Sequence, residues 1–381
     1  MTSTTSLLSL WFCIIWALSA SPISTWSYQN SSSQIFLTSV RVADGFEGDA
    51  LIHTGNLRDS KVALTNFSLH PYPNKTIDIH KIYAFAVDKK TETIYSEAHF
   101  NYNYRSLFKS SYNGKVQREI MLVNQTRYGN IQIATIRNQT KLFLVDGIGD
   151  YGPYYDYTPY YNYTQYTQPF KIKTANLDGS DLQTIFYADL MPCLPVPAVR
   201  QCERFGDIDQ LAIDEENGYV YFNVEFGGGT LYRMPIAMKP NETLATRSLE
   251  LLRSNTDAIR DVKFVNGTLY WLESPWSTDL VRHDQIWKWT PTYKEIKPGE
   301  SLMAGKQMLS EMVNSLVLDG PGVYHDPPGL TDFAVDLNNH EIWAIRRNEN
   351  TLFKVSINGG NFTEVDVGVP AGRIISRLLI I

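Results

Sequence analysis

Three short apolar strands of this 381-residue chain end in an aspartate: Phe85-Ala86-Val87-Asp88, Leu211-Ala212-Ile213-Asp214 and Phe333-Ala334-Val335-Asp336. Carboxylates delivered by equivalent strands to one central channel could surround Ca²⁺, which takes six or more oxygen ligands. Each acid is, however, followed by polar residues: Lys89-Lys90, Glu215-Glu216-Asn217-Gly218 and Leu337-Asn338-Asn339. An aspartate there caps a turn by accepting backbone N–H groups just downstream. The turn reading is the stronger of the two. No metal or catalytic residue is assigned, and Ca²⁺ stays as the alternative cofactor.

Other chemistry has weaker footing. The seven histidines, His53, His70, His80, His99, His283, His325 and His340, are scattered, with no i, i+4 pair of the kind that binds zinc on a helix. No Gly-x-Ser-x-Gly elbow, phosphate loop or dinucleotide fingerprint is present. Residues 151–166 hold eight tyrosines, among them Tyr154, Tyr155, Tyr157, Tyr160, Tyr161 and Tyr163, broken by Pro153 and Pro159. Tyrosine offers contact area and a hydrogen-bonding tip at low entropic cost, so this stretch is a candidate binding loop. The other reading is a loop whose rings pack on its own scaffold.

Cys193 and Cys202 form an even pair once Cys13 leaves with an expected N-terminal leader. In an exported chain such a pair reads as a local disulfide. Nine Asn-x-Ser/Thr triplets, at Asn30, Asn66, Asn74, Asn124, Asn138, Asn162, Asn241, Asn266 and Asn361, are candidate N-glycosylation sites and must then face solvent.

The elements that carry these residues repeat. Each acid-tipped strand is followed by a polar turn and a strand that opens with an aromatic pair, as in Ile94-Tyr95, Val220-Tyr221-Phe222 and Ile342-Trp343. Looser copies are Ile133–Ile136 with Leu142–Asp146, and Val262–Val265 with Leu269–Glu273. Third and fourth strands flank hairpins such as Asn113-Gly114, Asp178-Gly179 and Gly359-Gly360, dipeptides that tolerate positive φ. Period-2 strands recurring at this interval predict stacked sheets. Five such units are legible. Gln34–Val40 and Ala50–His53 read as a third and fourth strand, and Arg373–Ile381 as an inner strand, which together make most of a sixth unit. Sharing one unit between the two ends closes a ring and removes exposed sheet edges. The predicted fold is all-β: a six-bladed β-propeller with one blade shared between the N- and C-terminal strands. Residues 301–313 are expected to include a short helix with Met303, Met308, Leu309 and Met312 on one side.

Leu269-Tyr270-Trp271-Leu272-Glu273, Leu142-Phe143-Leu144-Val145-Asp146 and Leu177-Asp178-Gly179-Ser180 resemble the repeats of the YWTD propeller, the class B repeat of the low-density lipoprotein receptor. The resemblance implies an extracellular binding module in which the acid of the motif ties neighbouring blades together. Only Asp146 and Glu273 are placed to do so. Leu142–Ile148 also resembles a wall strand of the insect yellow and royal-jelly proteins, which would imply a small-molecule binder.

Leu7–Leu18 is an apolar run followed by small residues, the pattern of a cleaved leader. Residues 1–19 are therefore expected to be a signal peptide and 20–381 a single propeller domain, secreted and extracellular. A net charge of −6 without any Lys/Arg-rich run argues against nucleic acid, and no segment is long and apolar enough for a membrane span. The expected function is a secreted glycoprotein that binds an extracellular protein or small ligand without catalysis. The alternatives are a calcium-dependent lactonase-type hydrolase and a yellow-like small-molecule binder.

Overall fold

The computed structural model describes residues 33–43, 46–58, 61–69, 81–101, 104–115, 117–123, 127–148, 171–187, 210–224, 229–253, 259–275, 281–293, 303–315, 317–318, 324–325, 329–346 and 349–381. The expected leader, the tyrosine-rich stretch and both Cys193 and Cys202 lie outside them.

Alternating apolar residues build strand after strand. After β1 (Ser33–Ala43), β2 (Phe46–Arg58) and β3 (Lys61–Ser68), four-stranded units follow in chain order. They are β4 to β7 (Lys81–Asp88, Thr93–Asn101, Tyr104–Ser111, Gln117–Val123) and β8 to β11 (Arg127–Ile136, Gln139–Ile148, Lys171–Asn176, Gln183–Tyr187). Next come β12 to β15 (Leu211–Asp214, Tyr219–Val224, Thr230–Pro235, Glu250–Arg253) and β16 to β19 (Ile259–Val265, Thr268–Glu273, Val281–Trp289, Gln307–Ser315). A two-stranded ribbon, β20 (Val317–Leu318) and β21 (Tyr324–His325), precedes β22 to β25 (Leu330–Asp336, Glu341–Arg346, Leu352–Ser356, Thr363–Val365). The chain ends in β26 (Arg373–Ile380). Five sheets are antiparallel meanders of consecutive strands, and the sixth has the order β26-β1-β2-β3. The inner strands pack in a closed circle: β4 on β8, then β12, β16, β22, β26 and back to β4. The chain is a six-bladed β-propeller.

Two expectations are corrected. Gln34–Val40 and Ala50–His53 are second and third strands of the shared blade, not third and fourth, because β3 supplies the outer strand. The apolar residues of β3 are interrupted by polar ones, which hid it. The expected helix within 301–313 is instead β19, the outer strand paired to β18. Strand alternation buries Leu309 and leaves Met308 exposed, whereas a helix would have put both on one side.

Each of the six blade junctions has its own apolar cluster. Phe143, Phe186 and Phe222 fill the one between the β8–β11 and β12–β15 blades. Trp271 and Tyr221 meet in the next junction. Ile35, Ile375, Leu378 and Trp343 pack where the shared blade meets β22–β25. Full burial of such side chains supplies roughly 1.5–3 kcal/mol each, which is what holds sheets together that share no backbone ladder. The glycine hairpins add a steric key. Gly179 has φ +84°, and a Cβ there would lie 2.6 Å from the Ile120 carbonyl oxygen of the preceding blade. Gly359, at φ +98°, would meet the Leu309 carbonyl oxygen at 2.5 Å. Only glycine permits both the turn and the approach.

Because strands alternate in direction, the first–second and third–fourth hairpins of a blade open at the same end. Contacts between blades keep those ends together around the ring. Ser33 donates to Asp336, the Thr135 N–H donates to Glu215, and the Tyr293 hydroxyl donates to Asp214. The Phe36 and Tyr112 rings meet edge-on at 4.9 Å. The molecule thus has a turn end, where the first–second and third–fourth connections lie, and a loop end. At the loop end lie the strand termini joined by the two longest connections, 149–170 and 188–209.

Candidate functional site

The strongest concentration of unusual chemistry lies on the ring axis. Each inner strand is apolar by pattern, yet β16 carries Asp261 and Lys263 and β22 carries Asp332. Their backbones explain how. The register of β16 slips between Ile259 and Asp261, and that of β22 between Leu330 and Asp332. The same slip occurs between Ile82 and Ala84 in β4, and opposite Thr38 and Ser39 in β26. A bulge of one residue re-aims the side chains beside it.

Asp261 is fully buried, and its Oδ2 accepts the Phe333 N–H of the next inner strand at 3.1 Å. Asp332 repeats the device one blade on, accepting the Leu378 N–H of β26 at 3.0 Å. The Lys263 Nζ bridges the two carboxylates, at 3.0 Å from Asp261 and 3.2 Å from Asp332. Burial pushes the Asp261 carboxyl well above its usual range, against the pull of Lys263. Burial acts on Asp332 too, but Lys263, Arg377 and the Leu378 N–H outweigh it and hold Asp332 low. Burial disfavours the Lys263 charge, and the two acids more than offset that and hold its pKa raised. Around this cluster stand Asn130, Gln132, Gln210 and Arg377, with Ala84 and Phe85 of β4, so all six inner strands or their entries contribute. The space between them open to water is about 20 Å³, room for about one molecule. At this level the axis is a stitched polar core.

The three strand-end acids do the work of turns. Asp88 Oδ1 accepts the Lys90 N–H at 3.0 Å, and Asp88 Oδ2 the Thr91 hydroxyl at 2.6 Å. Asp214 accepts the Asn217 N–H at 3.0 Å. Asp336 accepts the N–H groups of Asn338 and Asn339 at 3.0 and 3.2 Å. Among the described residues no cluster of three or more His, Cys, Asp or Glu has metal-binding geometry.

The two acids of the YWTD-like strands differ. Glu273 accepts from Arg253 of the preceding blade, with Nη2 at 2.7 Å, and from the Trp271 indole at 2.6 Å. Asp146 pairs with Lys173 inside its own blade. A second inter-blade clamp escaped the sequence reading. The Arg233 guanidinium lies 5.1 Å from the Tyr219 ring, 5.4 Å from Tyr293 and 5.9 Å from Trp289, and its Nε and Nη2 hold Glu250 at 2.9 and 2.7 Å. It is an aromatic cage filled from within by the protein's own cation. Two tyrosines and a tryptophan, brought together from β13 and from the end of β18 and the residues after it, give no local signal of it. The axial cluster did leave one: charged residues inside otherwise apolar inner strands.

The remaining candidates divide by position. Tyr154, Tyr155, Tyr157, Tyr160, Tyr161 and Tyr163, the cysteine pair, and Asn30, Asn74, Asn124 and Asn162 lie outside the described residues. Asn66, Asn138, Asn241, Asn266 and Asn361 are all exposed. No helix among the described residues is long and apolar enough to cross a membrane.

No protein-family model matches the sequence, and no curated relative matches it. Solved structures do resemble the fold. A chain of a nidogen/laminin complex is similar with a TM-score of 0.51 at 12% identity, covering 92% of this chain and 98% of that one. TolB from Acinetobacter baumannii is similar with a TM-score of 0.54 at 8% identity, covering 91% of this chain and 66% of TolB. Identities this low speak for the fold alone: the chain shares the propeller architecture of both.

Proposed function

We propose that the protein is a secreted propeller that binds another extracellular protein and works by recognition, not by catalysis. One observation carries the reading: the carboxylates that a central metal would need are already committed. Asp88, Asp214 and Asp336 hold turns, and Asp261 and Asp332 hold neighbouring strands and Lys263. A scaffold stitched in this way keeps its loops in fixed relation, and function on such folds sits in the loops. Glu273 supports a YWTD-type relationship, because its tie to Arg253 is the inter-blade role that the resemblance assigns to the motif acid. The nidogen/laminin likeness is in keeping with a protein partner.

The binding surface is assigned to the loop end, where the connection holding Tyr154, Tyr155, Tyr160 and Tyr161 begins and ends. The test is capture of partners from extracellular fluid by the full chain. Replacing those four tyrosines by Ser is expected to leave the melting temperature in place and to weaken capture, by about 2 kcal/mol for each true anchor. Equal capture by both forms would move the site elsewhere. One tightly held Ca²⁺ per chain, with turnover of a lactone, would replace this reading with the hydrolase.

A further inference from the structure

From the position of its free asparagines, we infer that the turn end of the propeller is a glycan-bearing face, modified at Asn138, Asn241, Asn266 and Asn361. The inference rests on the secretory reading above and adds a sidedness to it.

The placement comes from topology. Asn138 is in the β8–β9 turn and Asn266 in the β16–β17 turn, both first–second hairpins. Asn241 lies between β14 and β15, and Asn361 between β24 and β25, both third–fourth connections. All four are therefore at the turn end. They fall one to a blade in four consecutive blades, alternating between hairpins near the axis and hairpins near the rim. That spacing keeps bulky substituents apart. The fifth described sequon, Asn66, is on β3, the outer strand of the shared blade.

Hydrogen bonding separates these asparagines from their neighbours. The side chains of Asn113, Asn176, Asn217 and Asn339 are spent on the turns they occupy, and Asn338 Nδ2 donates to Ser33 of the neighbouring blade. The five exposed sequon amides make no hydrogen bond among the described residues. Three of them, Asn138 at φ +65°, Asn241 at +69° and Asn266 at +46°, take the left-handed conformation in which asparagine is enriched. A free, solvent-facing amide in a turn is what the modification needs. In that reaction the asparagine Nδ2 attacks the anomeric carbon of a lipid-diphosphate-linked oligosaccharide. A C–N bond forms, the anomeric C–O bond breaks, the lipid diphosphate leaves, and the amide gives up one proton.

The consequence is directional. A turn end covered by sugar at these four positions cannot also present a flat protein-binding surface.

The test is expression of the full chain in a eukaryotic secretory host. Glycans are then removed by an amidase in H₂¹⁸O, which converts each modified asparagine to labelled aspartate for peptide mapping. Label is expected at Asn138, Asn241, Asn266 and Asn361. The variants Asn138→Asp, Asn241→Asp and Asn266→Asp keep the left-handed turn; each of them, and Asn361→Asp, should remove one step in gel mobility with the melting temperature unchanged. Reagent labelling of Lys239, two residues from Asn241, should rise several-fold once glycans are removed. Secreted protein with these four asparagines bare would overturn the glycan face and leave the secretory reading standing. Natural chain retained in the cytosol would overturn both.

Discussion

The shared blade and the β22–β25 blade have the same four-stranded plan but are held together by different means. In β22–β25 each strand is tethered to the next by a short connection, so pairing is local. In the shared blade, β26 and β1 are joined by no hairpin at all. Their ladder runs from Ile35↔Ile380 to Arg41↔Arg373 and is reinforced by side chains. The Thr38 and Ser376 hydroxyls meet at 2.8 Å across 338 residues of sequence. Ser39 bonds His53 Nε2 at 2.7 Å and receives Arg373 Nε at 2.9 Å. At the turn end, Gln34 and Ile381 exchange backbone bonds at 3.1 and 3.0 Å. Where the chain gives no covalent tether, buried polar groups fix the register instead. The apolar cluster beside them supplies the energy.

The comparison is broken most severely by removing β26. Deleting residues 373–381 strips Ile375, Leu378 and Ile380 from their cluster and exposes the edge of β1. Buried aliphatic truncations cost about 2–5 kcal/mol each, so the sum exceeds what most domains can spare. The expected result in size-exclusion chromatography is aggregate, with no cooperative melt. A soluble monomer of unchanged melting temperature would mean that ring closure contributes little.

Next in size is Lys263→Met at the axis, where blades are tied across the channel rather than end to end. It leaves Asp261 and Asp332 facing each other without their cation. Breaking a buried charge cluster costs about 3–5 kcal/mol, seen as a lower denaturant midpoint. The loss should be smaller at pH 5 than at pH 8, because Asp261, whose carboxyl is already raised, can take a proton. A loss equal at both pH values would show that the cluster is not electrostatic in origin.

The shared blade should also be the acid-sensitive one. Burial, helped by Arg373, lowers the His53 pKa to about 4. The unfolded chain, with a histidine pKa of about 6.5, therefore takes up the proton first. Stability from this group is full above that value and falls as pH drops toward 4, by up to about 1.4 kcal/mol per pH unit and about 3 kcal/mol in all. His53→Gln should flatten that part of the stability–pH curve. If the variant keeps the parent's slope, another group is responsible.

The smallest effect expected is Ser376→Ala, which removes one cross-closure hydroxyl. About 1 kcal/mol should be lost, measured as a modest fall in denaturant midpoint. A matched Ser356→Ala at an exposed position of the tethered β24 should cost less, and equal losses would remove the distinction between the two blades.

Much of this architecture was readable from the residues. The acid-tipped inner strands, the aromatic second strands and the Gly hairpins are local patterns, and local patterns survive in sequence. The shared blade was readable because strands without partners remained at both ends. What stayed hidden depends on partners distant in the chain. β3 carries no continuous apolar run, and the spacing of Met308, Leu309 and Met312 in β19 with Met303 just before it mimics an amphipathic helix. The axial cluster needs bulges in two strands to bring Asp261 and Asp332 to one lysine. The Arg233 cage needs rings from two neighbouring blades, Tyr219 of β13 with Trp289 and Tyr293 at and beyond the end of β18. The strand-end acids had two readings, and the hydrogen bonds of Asp88, Asp214 and Asp336 favour the turn.

The strand order β26-β1-β2-β3 also sets a clock. During synthesis β1 is made early, but its inner partner emerges about 340 residues later. At roughly 5–20 residues per second, that interval is on the order of 17–70 s. Throughout it, five blades can form by local hairpins while β1 keeps an unpaired edge. The last step of folding is therefore expected to be insertion of β26 into a nearly complete ring. A nascent chain stalled before Arg373 should hold a chaperone that recognises open strand edges, and release it once Ile381 clears the ribosome.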